Sequence, residues 1–146
     1  AGAARRGPEM EQGRAGRAPP DLCEPYPDLV SALDDDGNEV AGVRLPDAAV
    51  PLATYTGWNV RHPETGGAGQ PLFLAGATLV FHRTAAERQS RGDPRPAIAE
   101  RYASKEAYLE RVRACAEELV RQRYVVQDDI EPIVAASARR WDEFTA

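Results

Sequence analysis

The sequence predicts an α+β fold in which an irregular, proline-rich extended segment lies in the core beside a C-terminal hairpin of two helices. The extended segment is Leu45 to Arg61, which is apolar and nearly uncharged. Pro46 and Pro51 each remove a backbone donor and bias the preceding residue towards extended geometry, so no regular helix is expected there. The hairpin is predicted from apolar residues that recur at helical spacing in the last third of the chain.

Composition indicates one soluble domain, because the chain has 146 residues of which 42% are hydrophobic. The net charge of −5 argues against a general nucleic-acid binder and against binding to an anionic membrane. No run approaches the roughly 18 to 20 apolar residues of a membrane-spanning helix. The first residues do not predict a secretory signal. We therefore expect a cytoplasmic protein that binds neither nucleic acid nor membrane.

The N-terminal residues differ in composition from the rest. Residues 1–20 are rich in glycine, proline, arginine and alanine, and Met10 is their only large apolar side chain. Such a segment cannot offset the entropy lost on ordering, so it is predicted to be a disordered tail. The predicted folded domain comprises residues 21–146.

Four segments precede the helices. Asp34 to Asn38 predicts a turn, since Asp and Asn bond locally to the backbone and Gly accepts a positive φ. Val40 to Leu45 is expected to form a short strand. His62 to Pro71 is a loop by its proline and glycine content. Leu72 to Phe81 is the most apolar run, which favours a buried strand or an irregular core segment.

Helix starts and stops are marked clearly in the second half. A capping box from Thr84 to Glu87 opens a short helix that Gly92 to Pro94 ends, and Pro96 to Tyr102 adds a further helical turn. Ser104 is a good N-cap for an amphipathic helix of about five turns. A second capping box, Asp128 to Glu131, opens the last helix.

No complete set of catalytic residues is recognisable. A serine hydrolase usually shows its nucleophile in a Gly-x-Ser-x-Gly string, which the sequence lacks. Only His62 and His82 can serve as imidazole bases, and neither has a nucleophile nearby in sequence. A small stand-alone hydrolase that pairs Ser90 or Ser104 with His82 stays open as an alternative, but no catalytic residue is assigned.

No metal or cofactor is expected. The sequence has no cluster of Cys and His residues. The aspartate run that begins at Asp34 is not an EF-hand loop, because the twelfth residue is Leu45 where a bidentate glutamate is needed. Cys23 and Cys115 are predicted to be free thiols in a reducing compartment, with a disulfide between them as the alternative.

Several strings follow one another between residues 24 and 142. They are Tyr26 to Val30, Asp35 to Pro46, Ala49 to Arg61 with its Thr-Tyr-Thr-Gly-Trp-Asn core, Arg83 to Arg88, Gly92 to Arg95, Glu100 to Tyr102, and Trp141-Asp142. In order and spacing these strings resemble the C-terminal section of the bacterial alpha/beta hydrolase domain-containing proteins.

The resemblance implies the C-terminal part of an α/β-hydrolase-type serine hydrolase that acts on esters or related acyl substrates. In the family the nucleophile, acid and histidine lie upstream of the matched section, so this chain is expected to lack them and to need an upstream segment or a partner chain. Tyr55, Trp58, Asn59 and Arg61 are implied to line the pocket of the complete enzyme.

Two further expectations concern the chain in isolation. As part of a larger enzyme, it should expose some of the apolar surface of Leu45 to Arg61 and Leu72 to Phe81. The alternative is a non-enzymatic module that binds a partner through the C-terminal helical hairpin.

Overall fold

The computed structural model describes residues 31–72 and 75–146. The helices in these ranges are α1 Pro46–Ala49, α2 Ala85–Arg91, α3 Ile98–Arg101, α4 Lys105–Arg121 and α5 Ile130–Thr145. The strands are β1 Ala53–Thr56, β2 Asn59–Val60, β3 Pro71–Leu72 and β4 Ala77–Val80. Short 3-10 helices occur at Pro63–Thr65 and Gln127–Asp129. These elements confirm the predicted α+β class.

Three of the predictions fall on residues that are not described. They concern the tail of residues 1–20, the string Tyr26 to Val30, and the state of Cys23. The tail, its boundary at residue 21 and the pairing of Cys23 therefore stay predictions.

The four strands form one interrupted β-hairpin. β1 pairs antiparallel with β4, and β2 pairs antiparallel with β3. Both pairs are made by the same two chain segments, because β2 follows β1 and β3 precedes β4. A backbone hydrogen bond of 3.0 Å from Arg61 N to Gln70 O continues the pairing into the loop. We call the outer part of this hairpin, residues 57–72, the β-arm.

The predicted core segment Leu45 to Arg61 is only partly buried. Its beginning forms the one-turn helix α1, where the prolines predict no helix, because Pro46 takes a first-turn position at which no backbone N–H is needed. Residues 51–54 are buried, as predicted. Residues 58–61 are exposed, because the chain there runs along the β-arm.

The prediction that Leu72 to Phe81 is a buried strand or an irregular core segment is also wrong in part, because much of the run is exposed. The run contains β4, but Leu79 and Val80 are 51% and 36% exposed, whereas Phe81 is 2% exposed. Among the described residues β4 pairs with β1 along one edge. Leu79 and Val80 thus lie at the surface, whereas Phe81, which directly follows β4, is part of the core.

The turn from Asp34 to Asn38 is confirmed. Asp34 Oδ1 accepts hydrogen bonds from the backbone N–H groups of Asp36 and Asn38, at 3.0 and 2.9 Å. The strand predicted for Val40 to Leu45 does not form. The residues that flank the turn make a single isolated bridge instead, and the chain then continues without regular structure to α1.

Gly76 lies where β4 passes closest to the opposite segment of the hairpin. A Cβ atom at this position would lie 2.2 Å from the backbone oxygen of Thr56, which cannot move without breaking the β1–β4 pairing. We expect Gly76→Ala to lower the free energy of unfolding by about 1 to 3 kcal/mol, measured by urea denaturation.

Gly57 gives the matched control for this prediction, because a Cβ atom there would meet nothing within 4 Å. Gly57→Ala should leave the urea midpoint nearly unchanged. Equal midpoints for the two alanine variants would show that the close approach at Gly76 is wrong.

The C-terminal helices confirm the predicted hairpin. α4 and α5 pack against each other, and the aromatic rings of Tyr102, Tyr108 and Trp141 meet at centroid distances of 5.0 to 6.1 Å. The buried core comprises Leu52, Phe81, Ile98, Tyr102, Tyr108 and Val112. The helical hairpin therefore supplies one wall of the core, and the inner end of the β-hairpin supplies the other.

Helix caps agree with the sequence at three places. Both hydrogen bonds of the capping box form at Thr84, Gly92 ends α2 in a left-handed conformation, and Ser104 Oγ accepts the cap bond of α4. The capping box predicted from Asp128 to Glu131 does not form. Asp129 is the N-cap residue, but its side chain makes no cap hydrogen bond, because a 3-10 helix runs directly into α5.

Candidate functional site

Tyr55 lies at the inner end of the β-hairpin and is the most buried of the four predicted pocket residues. Its backbone N–H donates to Asn38 Oδ1 at 2.8 Å, while Asn38 Nδ2 donates to the backbone oxygen of Ala53 at 3.1 Å. The buried Asn38 side chain thus forms hydrogen bonds with two backbone groups on the outer edge of β1, as a neighbouring strand would do. Burial raises the pKa of Tyr55 to about 12, so its phenol stays protonated at neutral pH.

Trp58, Asn59 and Arg61 lie together on the β-arm. Trp58 is 48% exposed, and every residue from 57 to 71 is exposed. Asn59 Oδ1 accepts a hydrogen bond from the next backbone N–H at 2.7 Å, which fixes its side chain against the strand. The structure therefore places three predicted pocket residues on a surface arm. That they line a substrate pocket stays a prediction.

The two histidines occupy different surroundings. His62 lies on the β-arm with a side chain that is 69% exposed. His82 follows β4 and is 29% exposed, and its Nε2 lies 3.6 Å from Asp93 Oδ2. That distance exceeds hydrogen-bond length. His82 is thus close to a carboxylate without being held by it.

Arginine and aspartate side chains surround one buried aromatic ring beside His82. We call this group the Phe81 cluster, and it comprises Phe81, Asp36, Asp93, Arg95 and Arg101. The guanidinium carbons of Arg95 and Arg101 lie 5.1 and 4.2 Å from the centroid of the Phe81 ring. Both distances are within the range of cation–π attraction. The Phe81 ring therefore stabilises the positive charges of Arg95 and Arg101, whose side chains are mostly buried.

Arg95 is held by several partners. Its Nε and Nη2 donate to the two carboxylate oxygens of Asp93 at 2.6 to 3.2 Å. Its Nη1 donates to Thr54 Oγ1 at 2.8 Å and to the backbone oxygen of Leu79 at 3.0 Å. This side chain therefore joins the turn after α2 to both strands of the inner hairpin.

Arg101 makes the second ion pair of the Phe81 cluster. Its Nη1 donates to Asp36 Oδ2 at 2.7 Å, and its Nη2 contacts the other carboxylate oxygen. Both side chains are nearly buried, with 14% and 16% of their surface exposed. The pair fastens α3 to the turn that begins at Asp34. The Phe81 cluster thus holds five segments of the chain together, namely the turn from Asp34, β1, β4, the turn after α2, and α3.

The sequence gives little sign of the Phe81 cluster. Asp36 and Arg101 are 65 residues apart, and their pairing exists only in the folded chain. The one local signal is Asp93-Pro94-Arg95, in which Asp93 Oδ1 accepts the backbone N–H of Arg95 at 2.9 Å. That string predicts the turn but not its contact with the strands.

The hydrogen bonds of the Phe81 cluster limit what His82 can do chemically. The hydrogen bonds from Arg95 hold the pKa of Asp93 well below its usual range, at about 2. Its carboxylate is thereby committed to Arg95 and is poorly placed to orient an imidazole. Within the described residues no hydrogen bond joins either histidine to a serine or to Cys115.

The candidate serine nucleophiles are engaged in local structure. Ser90 Oγ donates to the backbone oxygen of Glu87 at 2.7 Å, and Ser104 Oγ caps α4 by accepting from Ala107 N at 3.2 Å. Ser137 is 1% exposed. The hydrogen bonds thus give no support to a stand-alone hydrolase that pairs Ser90 or Ser104 with His82.

The part of the chain that the structure describes contains neither a group of metal ligands nor a membrane-spanning helix. Across residues 31–72 and 75–146 no three His, Cys, Asp or Glu side chains are grouped so as to hold a metal ion. No helix among these residues has the length and apolar character needed to cross a membrane.

Comparison with known protein families identifies a match to this chain. The family model described as alpha/beta hydrolase domain matches residues 5–135. No curated protein and no solved structure matches the sequence. The matched range includes the inner hairpin, the β-arm, the Phe81 cluster and the whole of α4.

Proposed function

Since the chain belongs to the alpha/beta hydrolase domain family, we propose that it is part of an enzyme that hydrolyses esters or related acyl substrates. The observation that carries this proposal is the family match, which covers most of the sequence. We further propose a division of labour within this enzyme. This chain contributes structural support and pocket surface, and the nucleophile comes from an upstream segment or a partner chain.

The first support for this division is the state of the candidate catalytic groups. A serine hydrolase needs a nucleophile hydrogen-bonded to a base that is oriented by an acid. In the described part of the chain the histidines and serines have separate partners, and the acid nearest His82 is neutralised by Arg95. The residues that do come together, in the Phe81 cluster, stabilise the fold.

The second support is the apolar surface of the β-hairpin. On the β-arm, Trp58 and Val60 are each about half exposed, at 48% and 51%. Exposed apolar side chains of this size mark interaction surfaces when they occur together on one structural element. We propose that the β-arm contacts the segment that carries the nucleophile. Tyr55, Trp58, Asn59 and Arg61 would then line the substrate pocket between the two parts.

The β-arm proposal predicts a change in catalysis without a change in folding. Trp58→Ala in the complete enzyme should lower kcat/KM for an ester substrate by about tenfold, because a large aromatic contact at the pocket is lost. The melting temperature of this chain should stay the same, since Trp58 is half exposed.

Val126→Ala is the matched control for Trp58→Ala. Val126 is 63% exposed and lies between α4 and α5, outside the β-arm. Val126→Ala should leave kcat/KM unchanged. If Trp58→Ala has the same kcat/KM as the unmodified enzyme, the β-arm does not line the pocket.

The second candidate function is a non-enzymatic module that binds a partner through the helical hairpin. One observation favours it, namely the exposure of Tyr124 and Val126 at the turn of the hairpin, 61% and 63%. This function predicts partner capture that Tyr124→Ser abolishes and Trp58→Ala does not affect. The hydrolase proposal predicts that Trp58→Ala weakens assembly with the segment that carries the nucleophile. It predicts that Tyr124→Ser does not affect this assembly.

A further inference from the structure

The β-arm is attached to the rest of the chain only through its root. Within the described residues, every hydrogen bond made by residues 57–72 stays inside that range or ends at Thr56. Residues 57–71 are exposed. The chain enters the β-arm from β1 and returns to β4. The direction of the β-arm is therefore set by the contacts that hold β1 and β4.

One side chain holds the outer edge of β1. Phe81 N donates to Leu52 O at 3.0 Å, so alternate residues along β1 turn their backbone groups towards β4 and the others turn theirs away. The amide of Asn38 bonds two of the groups that are turned away, namely the carbonyl of Ala53 at 3.1 Å and the N–H of Tyr55 at 2.8 Å. Among the described residues no other hydrogen bond is made to this edge.

Asn38 is itself held firmly in place. Its side chain is buried, and its backbone exchanges hydrogen bonds with Asp34, donating to Oδ1 and accepting from the backbone N–H, both at 2.9 Å. Asp36 in the same turn is paired with Arg101 of α3. The Asn38 amide is thus a fixed support for β1, because the turn that carries it is fastened to a helix.

We propose that Asn38 is a positioning residue that sets the direction of the β-arm and thereby places Tyr55 and Trp58 against the substrate. This role rests on the proposed function, in which these two side chains line the pocket. Tyr55 is the last β1 residue whose outer edge is held before the exposed β-arm begins. Without the amide the root is held only from the β4 side. Small displacements of groups that contact a substrate are costly in catalysis.

Asn38→Asp gives the sharpest test, because it changes only the amide nitrogen. As a carboxylate the new side chain still accepts from the Tyr55 N–H, but it cannot donate to the carbonyl of Ala53. In its protonated form it can do both, as the amide does. Burial raises the pKa of a carboxyl group, so lowering the pH from about 8 to about 5 favours the form that restores both bonds.

The expected result is a change in KM that depends on pH. In the complete enzyme, Asn38→Asp should raise KM for an ester substrate by about threefold to tenfold at pH 8. The ratio of its KM to that of the unmodified enzyme should fall towards one as the pH is lowered. A purely structural role would reduce the number of active sites, counted by fluorophosphonate titration, and would leave KM unchanged.

Ile130→Ala is the matched control for a loss of stability. Ile130 is 3% exposed and begins α5, outside the β-hairpin. Its truncation should lower the melting temperature, because a buried aliphatic side chain is lost, and it should leave KM unchanged.

Hydrogen exchange in the purified chain reports on positioning without any activity. Asn38→Ala should speed exchange of the Tyr55 amide by at least about tenfold, since its hydrogen bond is lost. The amide of Thr54, which faces β4, should keep its protection. If Asn38→Ala does not fold, as judged by circular dichroism, the pH dependence of KM in Asn38→Asp still decides.

Three results would overturn the positioning role of Asn38. They are an unchanged KM for Asn38→Asp at pH 8, a rise in KM that Ile130→Ala shares, and an unchanged exchange rate of the Tyr55 amide in folded Asn38→Ala. Trp58→Ala separates this failure from that of the proposed pocket. If Asn38→Asp leaves KM unchanged while Trp58→Ala lowers kcat/KM, only the positioning role is wrong, and if neither variant has an effect, the pocket assignment is wrong as well.

Discussion

Phe81→Ala should lower the free energy of unfolding by about 3 to 5 kcal/mol, a large share of the roughly 5 to 15 kcal/mol that stabilises a native domain. Phe81 is 2% exposed and joins the core that Leu52, Ile98 and Tyr102 form. Its ring also supports the guanidinium groups of the Phe81 cluster. Alanine would leave a cavity. It would also remove the ring on which the arginines of the Asp93–Arg95 and Asp36–Arg101 ion pairs pack.

Urea denaturation followed by circular dichroism measures this effect. Leu79→Ala is the control, because Leu79 comes from the same apolar run but is 51% exposed. Its unfolding free energy should change by less than about 1 kcal/mol. A small effect of Phe81→Ala would mean that Phe81 is not packed in the core.

The second large effect concerns Asp93. Asp93→Asn should lower the free energy of unfolding by about 2 kcal/mol at pH 7, because Arg95 loses its charged partner. The side chains of this pair are only 11% and 19% exposed, so solvent screens their interaction weakly. Asp142→Asn is the control. Asp142 also pairs with a cation at 2.6 Å but is 64% exposed, so its removal should cost little.

The Asp93 effect should depend on pH in one direction. The pKa of Asp93 is about 2 in the folded chain, and an unfolded aspartate has a pKa of about 3.9. The stabilisation is therefore fully present above about pH 4 and is lost as the pH falls towards 2. The difference in unfolding free energy between the unmodified chain and Asp93→Asn should shrink over that interval. A difference that persists at pH 2 would mean that the carboxylate charge is not its source.

Local features of the fold were predictable from the sequence. Thr84, Gly92 and Ser104 act on backbone groups within a few residues, so their helix ends follow from local chemistry. The α4 stripe is equally local, because helical spacing alone brings Tyr108 and Val112 to one face. The helical half of the fold therefore follows from short-range rules.

Burial in the β half was not predictable in the same way. Trp58 is apolar and lies in a sequence segment that is predicted to be buried. Because β2 pairs with β3, the residue lies on the β-arm instead and is exposed. Asn38 belongs to a predicted turn, but its burial against β1 depends on a contact across 15 residues. Arg101 and Asp36 meet only after α3 has packed on that turn. These features depend on long-range contacts, which local patterns do not contain.

We propose that this chain supports a serine hydrolase without providing its nucleophile. Fluorophosphonate labelling of the purified chain, run beside lysate of the source organism with peptide mapping of the labelled bands, tests that claim most directly. We predict no label on the purified chain, and a labelled protein in the lysate that contains Leu45 to Arg61 or co-purifies with it. A labelled serine within the purified chain would contradict the claim and would identify a nucleophile among its own residues.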